Sequence, residues 1–256
     1  MKFTIITITF NAERYLEQQL ASVSGQTLRD LEQIVVDGGS TDSTLGIVQR
    51  AAKTEPRLRW TTGPDRGIGD AMNKGLALAT GDVVGFLHAD DFYADPTVLE
   101  RVAQAFALEP QAEWVTGGVR YVDGRGELLR TYSPRRWSYR RLLRGNILFH
   151  PATFVRSEAL AAAGGFDPSL RYTMDYDLWL RLGQRYAPRP LHLAIASFRV
   201  HPGSTSVRNV DAAFREEFQV RSRYLRGKPV QRALHLLYFG LKFFPNRWNV
   251  RHGDAS

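Results

Sequence analysis

The stretch Phe86-Leu87-His88-Ala89-Asp90-Asp91 sets two adjacent acids at the end of an apolar run. Neighbouring carboxylates repel each other, so at the end of a buried strand they call for a cation. Oxygen ligands of this kind suit a hard divalent ion that also takes a phosphate as co-ligand. Successive residues on extended backbone point to opposite sides, so one acid can hold the metal while the other reaches a ribose hydroxyl. A turn in which Asp90 caps the segment at Phe92 is the plainer alternative.

Three more polar clusters follow apolar runs in the same way. ITFNAERYL offers Thr9, Asn11 and Glu13, short polar groups that suit the edge of a base or ribose. Asn11 alone would equally serve as a helix cap. The stretch has neither the glycines of a dinucleotide fingerprint nor the Lys-Ser/Thr of a P-loop. VVDGGSTDST places Asp37 where it can accept from the N–H of a uracil-like ring, beside two glycines that permit close backbone approach. PDRGIGDAMNKG carries Asp65 ahead of a helix, with Asp70 and Asn73 on one of its faces. Asp70 taken by itself would only answer the helix dipole.

The elements that must position these groups read clearly. FTIITITF (3–10), LEQIVVDG (31–38), LRWTTG (58–63) and DVVGFLHA (82–89) are expected strands, separated by helical patterns over 12–23, 41–53 and 68–79. This rhythm predicts an α/β fold with a mostly parallel central sheet flanked by helices. Ligands of such sheets bind at the carboxyl ends of the strands, where all four clusters fall. Further on, a helix is expected from Pro96 to Leu108, then a strand near 114–116 and a hairpin turning at Asp123-Gly124. Residues 133–146 are basic, aromatic and poorly periodic, and read as a mobile loop. ATFVRSEAL reads as strand into helix, YDLWLRLGQRY as an amphipathic helix and HLAIASFRV as a strand.

Composition narrows the classes. With 256 residues, 43% of them hydrophobic, the chain can bury a core without disulfides, and with no Cys it has no thiol nucleophile. The net charge is +8, and arginines dominate from Arg120 onward, which points to an anionic partner. No window reaches the roughly 18 apolar residues of a membrane span, and the N-terminus is too short for a signal peptide. A cytoplasmic protein is expected. The tail KPVQRALHLLYFGLKFFPNRW suits a helix in a membrane interface, giving peripheral contact with the inner face of the membrane, or a helix packed back on the domain.

Taken in order, TITFNAERYL, VVDGGSTDST, DRGIGDAMNKGLALATGDVVGFLHADD and MDYDLWLRL resemble the family 2 glycosyltransferases of the GT-A fold. The likeness runs from Phe3 to about Ser206. It implies a nucleotide-sugar-binding half over 1–115, an acceptor-binding and base-bearing half over 116–206, and a basic helical extension over 207–256. It also implies an inverting transfer from a nucleotide-sugar, with UDP the default nucleotide, to a glycan or lipid-linked acceptor in surface-polysaccharide assembly. The cation is then Mn2+ or Mg2+.

By position, Glu13 and Asp37 would grip the nucleoside, with Thr9 and Asn11 in the same pocket. Asp65 would face the base or ribose, and Asp70 and Asn73 would lie in the donor-site helix. Asp90 would be nearer the ribose and Asp91 would bind the metal, with His201 as a nitrogen ligand. Asp175 would be the general base and Asp177 the runner-up, with His150 on the acceptor side. His88 departs from the family pattern, where an acid or amide is common, as does Met174, where Glu is frequent. A sugar nucleotidyltransferase would need a Gly- and Arg/Lys-rich loop after the first strand, which FNAERY is not. A nucleic-acid-binding module would not line its strand ends with acids.

Overall fold

The computed structural model describes residues 1–204 and 209–225, with isolated helical positions at 230, 233, 236 and 237. The tail helix expected from Lys228 onward therefore lies almost wholly outside the described residues.

Strands β1 (Phe3–Thr9), β2 (Leu31–Asp37), β3 (Leu58–Thr62) and β4 (Val83–Phe86) alternate with helices α1 (Leu16–Ser24), α2 (Thr44–Thr54) and α3 (Ile68–Leu78). They form a parallel sheet in the order β3-β2-β1-β4. β1 shows why it is central: it is almost entirely buried and its two faces divide cleanly. Phe3 and Ile5 pack with Val23 of α1, whereas Ile6 packs with Met72 of α3. Thr7 interrupts the apolar run, and Gln19 and Gln33 each donate to its hydroxyl, at 2.8 and 3.0 Å. This buried amide cluster ties α1, β1 and β2 together beneath the loops that follow them.

The second half mixes directions. It contains β5 (Phe92–Tyr93), α4 (Val98–Leu108), β6 (Trp114–Val122), β7 (Leu128–Tyr132), α5 (Tyr139–Leu142), β8 (Thr153–Arg156), α6 (Ser157–Ala163), α7 (Met174–Gly183), β9 (Arg189–Arg199) and α8 (Val210–Arg223). The sheet continues past β4 as β8-β6-β9-β5, with β7 on β6. β8 runs antiparallel to β4 and β6, while β6 and β9 are parallel. Parallel order is therefore confined to the first half and to the β6–β9 pair. The other joins are antiparallel.

Two departures from the sequence reading matter for function. The two-residue strand β5 is too short to show a period, yet it pairs antiparallel with β9 and so fixes the chain just after Asp91. Residues 133–146, expected as a loose loop, instead hold α5. Trp137 there packs edge-on to Trp114 with ring centroids 5.5 Å apart, and Leu142 and Leu143 enter the main core. Val220 of α8 and Leu225 just after it join the same core, so this stretch packs on the domain.

Candidate active site

Where strand order reverses at β1, the loops after β1 and β4 leave a cleft of about 1030 Å³. Thr9, Asn11, Asp65, Asp90, Asp91, His150, Asp175 and His201 all line it, although they come from widely separated segments.

The loops after β1 and β2 are held by their own polar groups. Asn11 adopts a left-handed conformation with φ of 48°, a region Asn tolerates better than most residues. It does not cap α1. Its side-chain oxygen accepts from the Thr41 amide at 2.9 Å, and its own amide donates to the Ser40 hydroxyl at 2.8 Å. Glu13 accepts from the Ser43 amide at 2.9 Å, at the start of α2. Asp37 is buried behind Thr9, accepting from the amides of Gly39 and Ser40 and the hydroxyls of Thr9, Ser40 and Thr62. Burial pushes this carboxyl up, but these hydrogen bonds together outweigh it and hold it below its ordinary range. Asp65 folds over Gly38: a Cβ there would lie 2.5 Å from its carboxylate. Glycine at 38 is thus what lets the two acidic loops close on each other.

Asp70 and Asn73 of α3 turn away from the cleft. Asp70 pairs with Arg66 at 2.9 Å and Lys74 at 3.4 Å, and the Arg66 hydrogen bond above all brings its carboxyl down to about 2. Asn73 donates to the Phe166 carbonyl at 2.8 Å and accepts from the Phe166 amide at 2.9 Å, joining α3 to the segment before α7.

The paired acids are unequal. Asp91 is 2% exposed, forms no ion pair among the described residues, and accepts from the Arg199 amide at 2.9 Å. Burial, with the Asp90 charge beside it, pushes its carboxyl well up. Asp90 is more open and lies 3.2 Å from His201 Nε2. The Gly203 amide donates to His201 Nδ1 at 3.2 Å, which leaves Nε2 as the edge that faces Asp90. Beneath them Arg199 is buried. Its guanidinium donates to the carbonyls of Asp90, Asp123 and Gly124 and to Gln18, and lies 4.4 Å over the Tyr15 ring. Nothing in SFRVH marks this arginine. Its role appears only when β9 is set beside the turn after β4.

Across the cleft, Asp175 stands in the first turn of α7. It accepts from the Tyr176 amide at 2.7 Å and from the Asn146 side chain at 3.2 Å. Burial raises its carboxyl to about 6 against these bonds, aided by the nearby Glu217 charge. Asp177 lies two residues on, a turn of roughly 200° around the helix axis, and faces the opposite way. Its oxygens meet Arg181 and the Tyr224 hydroxyl, both at 2.9 Å. Glu216 of α8 accepts from the amides of Arg171, Tyr172 and Thr173 at 2.7–2.8 Å, holding the turn that leads into α7.

On the cleft wall, His88 and His150 stack with ring centroids 5.0 Å apart. Burial pushes both imidazoles down, and for His150 His88 adds to the effect. Among the described residues, His88 Nδ1 and both ring nitrogens of His150 have no hydrogen-bond partner. Neutral imidazoles in this position offer donors and acceptors to an incoming hydroxyl.

Residues 4–162 match the sequence family described as Glycosyl transferase family 2. The chain belongs to this family. A glycosyltransferase of Mycobacterium bovis named for PGL/p-HBAD biosynthesis is 32% identical over 227 residues, covering 86% of this chain and 85% of that one. Chondroitin synthase of Escherichia coli is 29% identical over 212 residues, covering 82% of this chain, which spans only 31% of that longer enzyme. Among solved structures, S. aureus TarS in complex with UDP-GlcNAc superposes with a TM-score of 0.71 at 20% identity, covering all of this chain and 74% of that one. The mannosyltransferase PcManGT of Pyrobaculum calidifontis, in complex with GDP-Man and Mn2+, gives 0.70 at 22% identity, with 100% and 76% coverage. The expected fold is therefore the observed one. The family match ends before α7, so Asp175 and the helix that supports it lie beyond it.

Proposed function

We propose that this family 2 chain moves a sugar from a nucleotide-diphosphate sugar to an acceptor hydroxyl with inversion, in bacterial-type surface polysaccharide or glycolipid synthesis. The observation that carries the reading is the single cleft with a strand-end acid pair on one wall and Asp175, held near neutrality, on the other. A base poised at about 6 is ionised at cytoplasmic pH yet still basic enough to take a proton.

Asp175 receives the proton of the acceptor hydroxyl as that oxygen attacks the anomeric carbon. Asn146 and the Tyr176 amide keep its carboxylate aimed. Attack from the face opposite the departing diphosphate inverts the centre and needs no covalent intermediate. His150 and His88 fit hydroxyls of the sugar or acceptor. Thr9, Asn11 and Asp65 form the nucleoside end, with Asp37 and Glu13 bracing the loops behind them, and Asp90 lies nearest the ribose.

The donor set suits Mn2+ or Mg2+. Asp91 is a buried acid with no ion pair among the described residues, and His201, two residues after β9, faces its neighbour Asp90. Among the described residues no three such groups close into a cage, so donor phosphates would complete the coordination. A cation there supplies charge that offsets the leaving diphosphate. UDP is the favoured nucleotide, since TarS is seen with UDP-GlcNAc, and GDP is the second, since PcManGT is seen with GDP-Man. Among the described residues no helix is long and apolar enough to cross a membrane.

The test is calorimetry of UDP, GDP, dTDP and CDP binding, each with Mn2+, Mg2+ or EDTA. Metal-dependent binding of one nucleotide, lost in Asp91→Ala, is the expected result. No binding of any nucleotide with either metal would overturn the reading.

A further inference from the structure

Arg135, Arg136, Arg140, Arg141 and Arg144 are all exposed within ten residues of chain, and none forms an ion pair among the described residues. Free arginines on a loose loop would be an ordinary solvated surface. These are not on a loose loop. The Leu142 carbonyl accepts from the buried Tyr176 hydroxyl at 2.6 Å, and the Arg144 carbonyl accepts from the buried Arg221 at 2.6 Å. Ser138 caps α5 by accepting from the Arg141 amide, and Trp137 is wedged against Trp114 and Gly183. The backbone is thus fixed at several points while the five arginines stay exposed, Arg141 Nη1 alone among them donating back, to the Arg136 carbonyl at 3.4 Å. A preset cluster of this kind loses little conformational freedom on binding an anion.

The segment also leads straight to the base. Asn146, which donates to Asp175, follows Arg144 by two residues, at most about 7 Å of chain. Arg141 is five residues away, no more than about 18 Å even if extended. A planar guanidinium fork matches the oxygens of a phosphate better than any other side chain does. We infer that the Arg135–Arg144 segment receives a phosphate or diphosphate carried by the acceptor. The acceptor hydroxyl lies at Asp175 and a short saccharide spans the gap. This rests on the transferase reading and deepens it by naming the acceptor's chemistry.

The test compares wild type with Arg135→Gln/Arg136→Gln/Arg140→Gln, at three exposed side chains without an ion pair among the described residues. Sedimentation, in EDTA to silence the metal site, uses three vesicles: phosphatidylcholine alone, the same with a polyprenyl diphosphate, and the same with phosphatidylglycerol at equal charge. The expected result is wild-type preference for the diphosphate vesicles, reduced at least tenfold in the variant and competed by inorganic pyrophosphate. Equal binding to both charged vesicles would assign the arginines to bilayer charge and overturn the inference. So would binding to neither, or full binding by the variant. Nucleotide calorimetry on the same two proteins separates the failures. If nucleotide binds but the variant changes nothing, only this inference falls, whereas absent nucleotide binding removes the transferase reading beneath it.

Discussion

Replacing Asn146 by Ala tests the assignment of Asp175 as the base without touching its carboxylate. The Asn146 side chain donates to Asp175 at 3.2 Å and favours the ionised form, while burial works the other way and leaves the group at about 6. A hydrogen bond to a charged group is worth about 1.5–3 kcal/mol in good geometry. This one is long and opens onto a wet cleft, so about 1 kcal/mol is the appropriate figure, equivalent to ~0.7 pH unit. In Asn146→Ala the ascending limb of the pH–rate profile therefore moves upward by that amount. At pH 6 the ionised fraction falls about threefold, and at pH 8 by less than a tenth. The assay is nucleotide release, with water as acceptor, from sugar donors of the nucleotide that calorimetry identifies, read across the pH range. Carboxyl-carbon NMR of Asp175 follows the same titration without turnover. A limb that stays in place, or moves downward, would refute the claim that Asp175 is the titrating base and that Asn146 steadies its charged form.

Asp175→Asn abolishes transfer but stabilises the fold above pH 6. The folded carboxyl binds its proton more tightly than the unfolded one, so its contribution is full below the unfolded value of 3.8 and is lost as pH rises through about 6. The gain measured by urea unfolding at pH 8 is at most about 3 kcal/mol, reduced by screening at the cleft. Arg199→Met strands the carbonyls of Asp90, Asp123 and Gly124, and urea unfolding should show a loss of about 3 kcal/mol. Metal-dependent nucleotide binding should weaken in the same variant, because the Asp90–Asp91 turn loses its support. Glu216→Ala removes the acceptor shared by three amides before α7 and costs about 2 kcal/mol in the same measurement. In donor hydrolysis it lowers kcat more than it raises KM for the donor, because it disturbs the base and not the donor pocket.

The first half of the molecule was legible because its signals are local. The runs that became β1, β2 and β3 were readable to within a residue of their observed ends, since alternation or continuous apolarity is written within each run. The start of α1 was misplaced by four residues: the sequence 12–15 has helical composition, but left-handed Asn11 and its bonds to the neighbouring loop delay the helix until Leu16. The residues that line the cleft were visible as acids and amides after strands, whereas the direction each faces was not. Asp70 and Asn73 share a helix face, as their spacing says, but that face meets Arg66 and Phe166 instead of the cleft. The supporting groups left no trace at all. Arg199 reaches Asp91 across 108 residues, and Glu216 reaches Arg171 across 45, so only the closed fold puts them together.

The place of Glu216 in the chain has a consequence for how the protein is made. Synthesis runs from the N-terminus, and the parallel β3-β2-β1-β4 unit with its nucleoside-side loops is complete long before α8 leaves the ribosome. The turn that presents Asp175 must wait for that helix, because the acceptor for its amides lies on it. On the function proposed above, a nascent chain can thus assemble the nucleoside-side half while Asp175, the proposed base, is still unsupported. On that reading, the capacity to take a proton from the acceptor arrives last.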